Sequence, residues 1–279
     1  LIISSFVNII LDIVFITVFG MGVEGAALAT ILSQFISAII CLTHLIRSKD
    51  VYRLSPKKIR FDLPMLKIIV QNGLPAGFQN SIIGIANVVV QSNINSFGSM
   101  AMAGCGAYSK IEGFAFLPII GMNNGMVPIV SYNYGAKRPD RITQTIRLSA
   151  IYAVAIMAAG VAVVQLIPDK LLLLFDASEQ MLTIGVPALR IISTCFVFAG
   201  FSIVCSSVFQ ALGNSIFSMI MSITRQLAVL LPAAYILAHA FGLHAVWYAF
   251  PIAEFASLAL SIIMLSHTYK KVIMPLAAD

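Results

Sequence analysis

Apolar runs of about 20 residues or more fill roughly nine tenths of this chain, and that length decides what it can fold into. A hydrocarbon core of ~30 Å is crossed by about 20 helical residues, and only helices or closed barrels keep backbone polar groups satisfied there. A barrel would show short alternating segments, so the long runs predict helices. Composition agrees: 59% of the 279 residues are hydrophobic and 10% are charged, outside the range of a soluble domain. The expected fold class is all-α, a polytopic membrane protein with eight transmembrane helices at 1–19, 22–46, 65–96, 101–132, 144–167, 181–211, 216–239 and 243–267. The first run lacks the basic flank of a signal peptide and is expected to be a genuine span. Three runs of about 30 residues reach roughly 45 Å, so they must tilt, bend or project. Pro75, Pro118, Pro128 and Pro187 are the expected helix bends.

The basic residues orient the chain. Arg47, Lys49, Arg53, Lys57, Lys58 and Arg60 follow the second span, Lys137, Arg138, Arg141 and Arg147 follow the fourth, and Lys270 and Lys271 close the last. These are 12 of the 17 Lys and Arg residues, all on one side of an eight-span path, whereas the alternate connections carry only Lys170 among four acids. Loops 47–64 and 133–147 and the C-terminus are therefore expected on the cytoplasmic side of a plasma (inner) membrane. The net charge of +6 reflects this topology, and no nucleic-acid partner is expected. Cys41, Cys105, Cys195 and Cys205 lie in apolar runs without a CxxC pair, so neither a disulfide nor a metal site is expected.

Residues 22–45 run parallel to 242–265: Gly22 is answered by Gly242, Ala29 by Ala249, Phe35 by Phe255, Ser37 by Ser257 and Leu45 by Leu265. Each copy follows an apolar span and a tight turn, then shows a stripe of small residues: Gly22, Ala26, Ala29, Ser33 and Ser37, or Gly242, Val246, Ala249, Ala253 and Ser257. Internal duplication is a transporter signature. It predicts three parts: 1–46, the last two helices of an N-terminal lobe; 47–64, a basic inter-lobe linker; and 65–279, a complete six-helix lobe with a short tail. On this reading a complete parent carries four more spans before Leu1.

Ionisable groups deep in a bilayer are costly and usually have a partner or a task. Glu112 lies about 10 residues into the fourth span and Glu254 about 11 into the eighth, roughly 16 Å from its outer end. They are the candidate carboxylates for a coupling ion or a cationic substrate. The competing reading is a buried ion pair with Lys110, Arg190 or Arg225; Lys110 and Glu112 do not share a helix face, so pairing would be interhelical. In the third span Gly73, Gly77, Asn80, Gly84, Asn87, Gln91 and Asn95 recur at steps of three or four, giving one small-and-polar face. That face either lines a wet cavity or packs as a seam glued by amides. Gly121 and Gly125, with Asn123 and Asn124, read as packing and bending. Asp12, some 8 residues inside the first span, is a candidate for a polar network of the N-terminal lobe, although its alignment with Pro232 in the duplication argues for a local helix-breaking role instead.

The order of motifs from Asn72 onward resembles the multidrug and toxic compound extrusion (MATE) family. The resemblance rests on NGLPAG at 72–77, YSKIEGFAFLPIIGMNNGMVPIVSYNYGAKRPDRI at 108–142, QALGNS at 210–215, Arg225-Gln226 with Pro232, and GLHAVWYAFPIAE at 242–254. Upstream, NIILDIVFI at 8–16 and GVEGAALATILSQ at 22–34 resemble the last two helices of that family's N-terminal lobe. It implies a twelve-helix antiporter that exports amphipathic, often cationic compounds against inward H⁺ or Na⁺ by alternating access, without another cofactor. It also implies a monomer once the N-terminal helices are present, with the lipid bilayer and small amphipathic cations as partners. One departure is visible. Where some branches carry an acid on the third span this chain has Gln79 and Asn80, and there is no acid between Met181 and Gln210. The nearest rival is a lipid-linked oligosaccharide flippase of the wider superfamily, which would need more cationic residues than Lys110, Arg190 and Arg225. A structural or enzymatic membrane subunit is the rival from another class; no phosphate-binding loop or catalytic triad supports the enzyme.

Overall fold

The computed structural model describes residues 2–47, 60–175 and 177–277, so Lys49, Arg53, Lys57, Lys58 and Asp176 lie outside the described residues. Every regular element among them is helical. In chain order these are α1 (Ile2–Ile13, running on as a π turn Val14–Val18), α2 (Gly22–Arg47), α3 (Leu63–Asn95), α4 (Ser99–Gly135), α5 (Pro139–Leu166) and the short α6 (Pro168–Leu173). There follow α7 (Glu179–Ser193), α8 (Phe196–Ala211), α9 (Ser215–Ser222), a π turn at Ile223–Leu230, α10 (Leu231–Phe241), α11 (Leu243–Val246) and α12 (Ala249–Thr268).

Six helical stretches are long and apolar enough to cross a membrane: Gly22–Arg47, Leu63–Asn95, Ser99–Gly135, Pro139–Leu166, Ser215–Phe241 and Leu243–Leu276. α7 and α8 form a seventh only if counted together across a 53° bend, and Ile2–Val18 is a shorter apolar helix, so length and hydropathy alone do not reach the expected eight. The run expected as one span at 181–211 is thus two helices. Helix is unbroken through Pro187, Pro75, Pro118 and Pro128, and the sharp bend falls instead at Thr194–Cys195. α5 starts at Pro139 rather than 144, because a proline at the first helical position is already set at the helical φ.

The chain divides into two compact units, Leu1–Leu63 and Pro64–Asp279. In the first, α1 and α2 form a hairpin that buries Gly25, Ala29 and Ser33, and the Ser4 hydroxyl donates to the Ser33 carbonyl at 3.1 Å. Asn8 Nδ2 and Asp12 Oδ1, one turn apart on α1, are buried without a hydrogen-bond partner.

In the second unit α5 packs on α4 and α8, α4 on α7, and α12 on α8 and the Ile223–Leu230 turn. Small residues permit the close approaches. A Cβ on Gly104 would sit 4.0 Å from the Gly185 backbone, and Phe116 meets Phe196 edge-on at 5.4 Å between centroids. Phe114, Leu117, Ile151 and Ile263 are all more than half exposed on the outside. Such an apolar exterior is what a bilayer would cover.

Two turns end their helices identically. The Arg138 N–H donates to the Asn133 carbonyl at 2.9 Å and Lys137 N–H to Tyr134 at 3.1 Å, with Lys137 at φ 54°. Asn214 N–H donates to Phe209 at 2.8 Å and Gly213 N–H to Gln210 at 3.0 Å, with Gly213 at φ 77°. Both are Schellman closures, in which a left-handed residue lets the chain turn back and cap the last carbonyls. Ser131 Oγ donates to the Ala211 carbonyl at 2.9 Å, which ties the two helix ends together.

The α5–α8 contact depends on Gly200, where a Cβ would lie 2.7 Å from Met157 Cγ and 3.5 Å from the Ala153 carbonyl oxygen. Gly200→Leu is therefore expected to cost about 1–3 kcal/mol through overpacking, read as a lower melting temperature in detergent, with Gly200→Ala milder because Met157 can yield. An unchanged melting temperature for the leucine variant would contradict this packing.

Candidate functional site: a polar cavity between α3, α4, α8 and α12

A cavity of about 660 Å³ lies where α3 stands off from the rest of its unit. From α3 it is lined by Gln79, Asn80, Asn87 and Gln91, and from α4 by Ser109, Glu112 and Phe116. Ser202, Ser206, Ser207 and Gln210 of α8, Ser222 and Arg225 of the α9 span, and Ser257 of α12 complete it. The glycines of the α3 face do not form a packing seam: a Cβ on Gly73, Gly77 or Gly84 would meet nothing within 4 Å. α3 is instead held by amides. Gln79 Nε2 donates to Ser206 Oγ at 3.1 Å, and Gln210 Nε2 donates to Gln79 Oε1 at 3.0 Å. Asn80 spends one amide hydrogen on its own helix, donating to Ala76 at 3.2 Å. Asn95, expected on the same face, is not in the lining; it is exposed at the last residue of α3, beyond the cavity.

Glu254 is paired. Arg225 Nε donates to Glu254 Oε1 at 2.9 Å, with the Glu254 side chain 6% exposed and that of Arg225 29% exposed toward the cavity. The other carboxylate oxygen, Oε2, is buried without a hydrogen-bond partner. Arg225 owes its position to the π turn Ile223–Leu230, which ends just before Pro232. Proline lacks an N–H and its ring crowds the carbonyl four residues back, so the preceding turn widens. The widened turn packs against α12 near Glu254.

Glu112 stands about 20 Å along α4 and opens onto the cavity without an ion pair, within electrostatic range of Arg225 and Glu254. The Tyr108 hydroxyl, one turn earlier, is buried with no partner in hydrogen-bond geometry. Of the three cations considered as partners, only Arg225 meets a carboxylate. Lys110 points to the exposed side of α4, two residues and more than half a turn away from Glu112. Arg190 is exposed in the last turn of α7, where the bend has created a helix terminus whose carbonyls favour a cation. Gly121 and Gly125 face open space rather than a neighbouring helix, while Asn123 beside them is buried.

The serines were not singled out from the sequence. Ser202, Ser206 and Gln210 recur every four residues, a helical polar stripe, but in the run SIVCSSVFQ they read as small filler.

The helical spans and the apolar exterior define a multi-pass membrane protein, and the comparisons place it more narrowly. The sequence pattern of the MatE family matches residues 75–236, and the chain belongs to that family. It is 27% identical over 248 residues to "Multidrug export protein MepA" of Staphylococcus haemolyticus, covering 89% of this chain and 54% of the relative, and 27% identical to MepA of Staphylococcus aureus strain MSSA476. Among solved structures it matches an outward-facing multidrug resistance MATE family transporter of the MOP superfamily, at TM-score 0.90 and 26% identity over 100% of this chain and 62% of that one. It also matches a MOP superfamily transporter from Pyrococcus furiosus described by a "reverse polarity of binding pocket", at TM-score 0.90 and 26% identity over 97% of this chain and 62% of that one. The chain thus spans about half the length of the curated relatives it matches.

Removing one member of a buried ion pair strands the other. Glu254→Met is expected to destabilise by up to about 3 kcal/mol, below the fully buried range because Arg225 reaches the cavity, and Arg225→Met/Glu254→Met to recover part of that loss. Additive effects in this thermal-unfolding cycle would show that the pair contributes nothing.

Proposed function

We propose that the chain supplies the C-terminal lobe and the last two helices of the N-terminal lobe of a secondary active multidrug efflux transporter. It works by cation-coupled antiport, H⁺ or Na⁺ moving in and an amphipathic, often cationic compound moving out through alternating access. The observation that carries this reading is the cavity: about 660 Å³ of amide and serine lining with apolar patches from Phe116 and Ile120, in the middle of an apolar helix bundle. Such a lining recognises a range of amphipathic molecules by weak hydrogen bonds and apolar contact. With Arg225 neutralised by Glu254, Glu112 is the carboxylate left to meet a cation or a proton. The family membership and the export function in the relatives' names support the same reading. The charge distribution supports eight membrane crossings with the Arg60 connection, the Lys137–Arg147 segment and Lys270–Lys271 on the cytoplasmic face of the plasma membrane. A flippase for an anionic lipid-linked glycan fits less well, because Arg225, the only cation lining the cavity among the described residues, is already paired.

The test is uptake of a fluorescent organic cation into inverted vesicles holding the full-length transporter, under separate H⁺ and Na⁺ gradients. Glu112→Gln is expected to lower gradient-driven uptake about tenfold, equivalent to roughly 1.4 kcal/mol of lost interaction. Unaltered transport in both Glu112→Gln and Glu254→Gln would reject the site.

A further inference from the structure

α5 and α12 both pack on α8, and α5 also touches the turns that follow α12. Between them runs a groove of about 410 Å³, open to the outside of the bundle. Its floor is Phe201 of α8, and its deeper walls are Ala150 of α5 with Ile262 and Leu265 of α12. At the other end, toward the helix termini, it is bordered by Thr143 and Arg147, one turn apart on α5, by Ser266 of α12 and by Tyr269 just past it; they line the groove with carbon, so the Arg147 guanidinium stands at its rim. Arg147 is exposed and makes no ion pair among the described residues. Lys270 and Lys271 follow Tyr269 in the chain but do not line the groove, so the charge at its mouth is that of Arg147 while its walls are apolar.

A gap between helices that opens sideways to hydrocarbon is filled by a chain, because empty walls forfeit their dispersion contacts. A guanidinium about 12 Å inside the start of α5 reaches back toward the interface, where the available anions are lipid phosphates. We propose that the groove between α5 and α12 is a binding site for one anionic phospholipid of the leaflet on the basic side, its acyl chain on Phe201 and its phosphate on Arg147. The site is separate from the polar cavity, with which it shares no lining residue.

The experiment is retention of phosphatidylglycerol against phosphatidylcholine of identical acyl chains, followed by native mass spectrometry and by thermal shift on the full chain purified in detergent. Phosphatidylglycerol is expected to be retained about fivefold more tightly, the ratio expected of one headgroup contact. Arg147→Gln should erase that preference, Arg147→Lys should keep it, and Arg138→Gln, a basic change outside the groove, should leave it intact. Ala150→Phe, which fills the apolar end, should weaken retention of both lipids. Equal retention of the two lipids, an unaltered preference in Arg147→Gln, full retention in Ala150→Phe, or the same stabilisation by inorganic phosphate alone would each overturn the proposal.

Discussion

The contact between Arg225 and Glu254 fixes the charge of one wall of the polar cavity. Two charges at mid-span are tolerable only if each satisfies the other, and the 2.9 Å approach does so while fixing the span that carries Arg225 against α12. Its second effect is electrostatic. Arg225 reaches the cavity already paired, so the wall it shares with Ser222 and Ser257 reads as polar rather than cationic, and Glu112 lines the same cavity. The cavity itself exists because α3 is held off by side-chain amides, Gln79 to Ser206 and Gln210, instead of by close packing of its glycines.

The same demand for satisfied polar groups explains where the backbone departs from plain α-helix. Hydrocarbon favours irregularities that close their own hydrogen bonds, and several here do so. The turns after α4 and α8 are capped from within by paired Schellman bonds, and the helix widens into a π turn just before Pro232, where the Leu231 N–H donates to the Gln226 carbonyl. The last helix repeats the device, with a π turn at Tyr269–Ile273 just before Pro275. The π turn that carries Arg225 is thus one of several irregularities, beside the turn at Val14–Val18 and the bend at Thr194–Cys195.

Much of this was legible from residue pattern, because span length and the cost of buried charge act through the sequence itself. The helical class, the long runs and the depth of Glu112 and Glu254 follow from counting residues. Other features depend on neighbours that no local pattern reports. The 53° bend at Thr194–Cys195 has neither proline nor glycine at the break, whereas Pro187, the obvious breaker, lies inside an unbroken helix. The left-handed residue after α4 is Lys137, although Gly135 nearby was the chemically easier choice. Lys110 and Arg190 look like partners by depth but face outward, since depth says nothing of direction. Asn95 keeps the period of the α3 face yet lies past the cavity, because periodicity cannot say where an opposing wall stops.

The duplication separates what packing needs from what chemistry needs. Of the first stripe Ala29 and Ser33 are buried, with Gly25 beside them, while Gly22 is exposed; of the second, Val246, Ala249, Ala253 and Ser257 are buried across α11 and α12. Each copy also starts from a glycine with positive φ, Gly22 at 57° and Gly242 at 78°, where a side chain would be strained. The polar positions do not follow. Glu254 is buried and paired, while its counterpart Gln34 is exposed; Arg225 corresponds to Ser5, and Pro232, which shapes the π turn, corresponds to Asp12. A helix pair can keep its backbone register through small residues alone, since these set how closely two axes approach. The ion pair then requires three changes together: a proline to widen the turn, an arginine on that turn and a glutamate on the facing helix. That interdependence accounts for the pair standing in one copy as a unit and being absent from the other at all three positions.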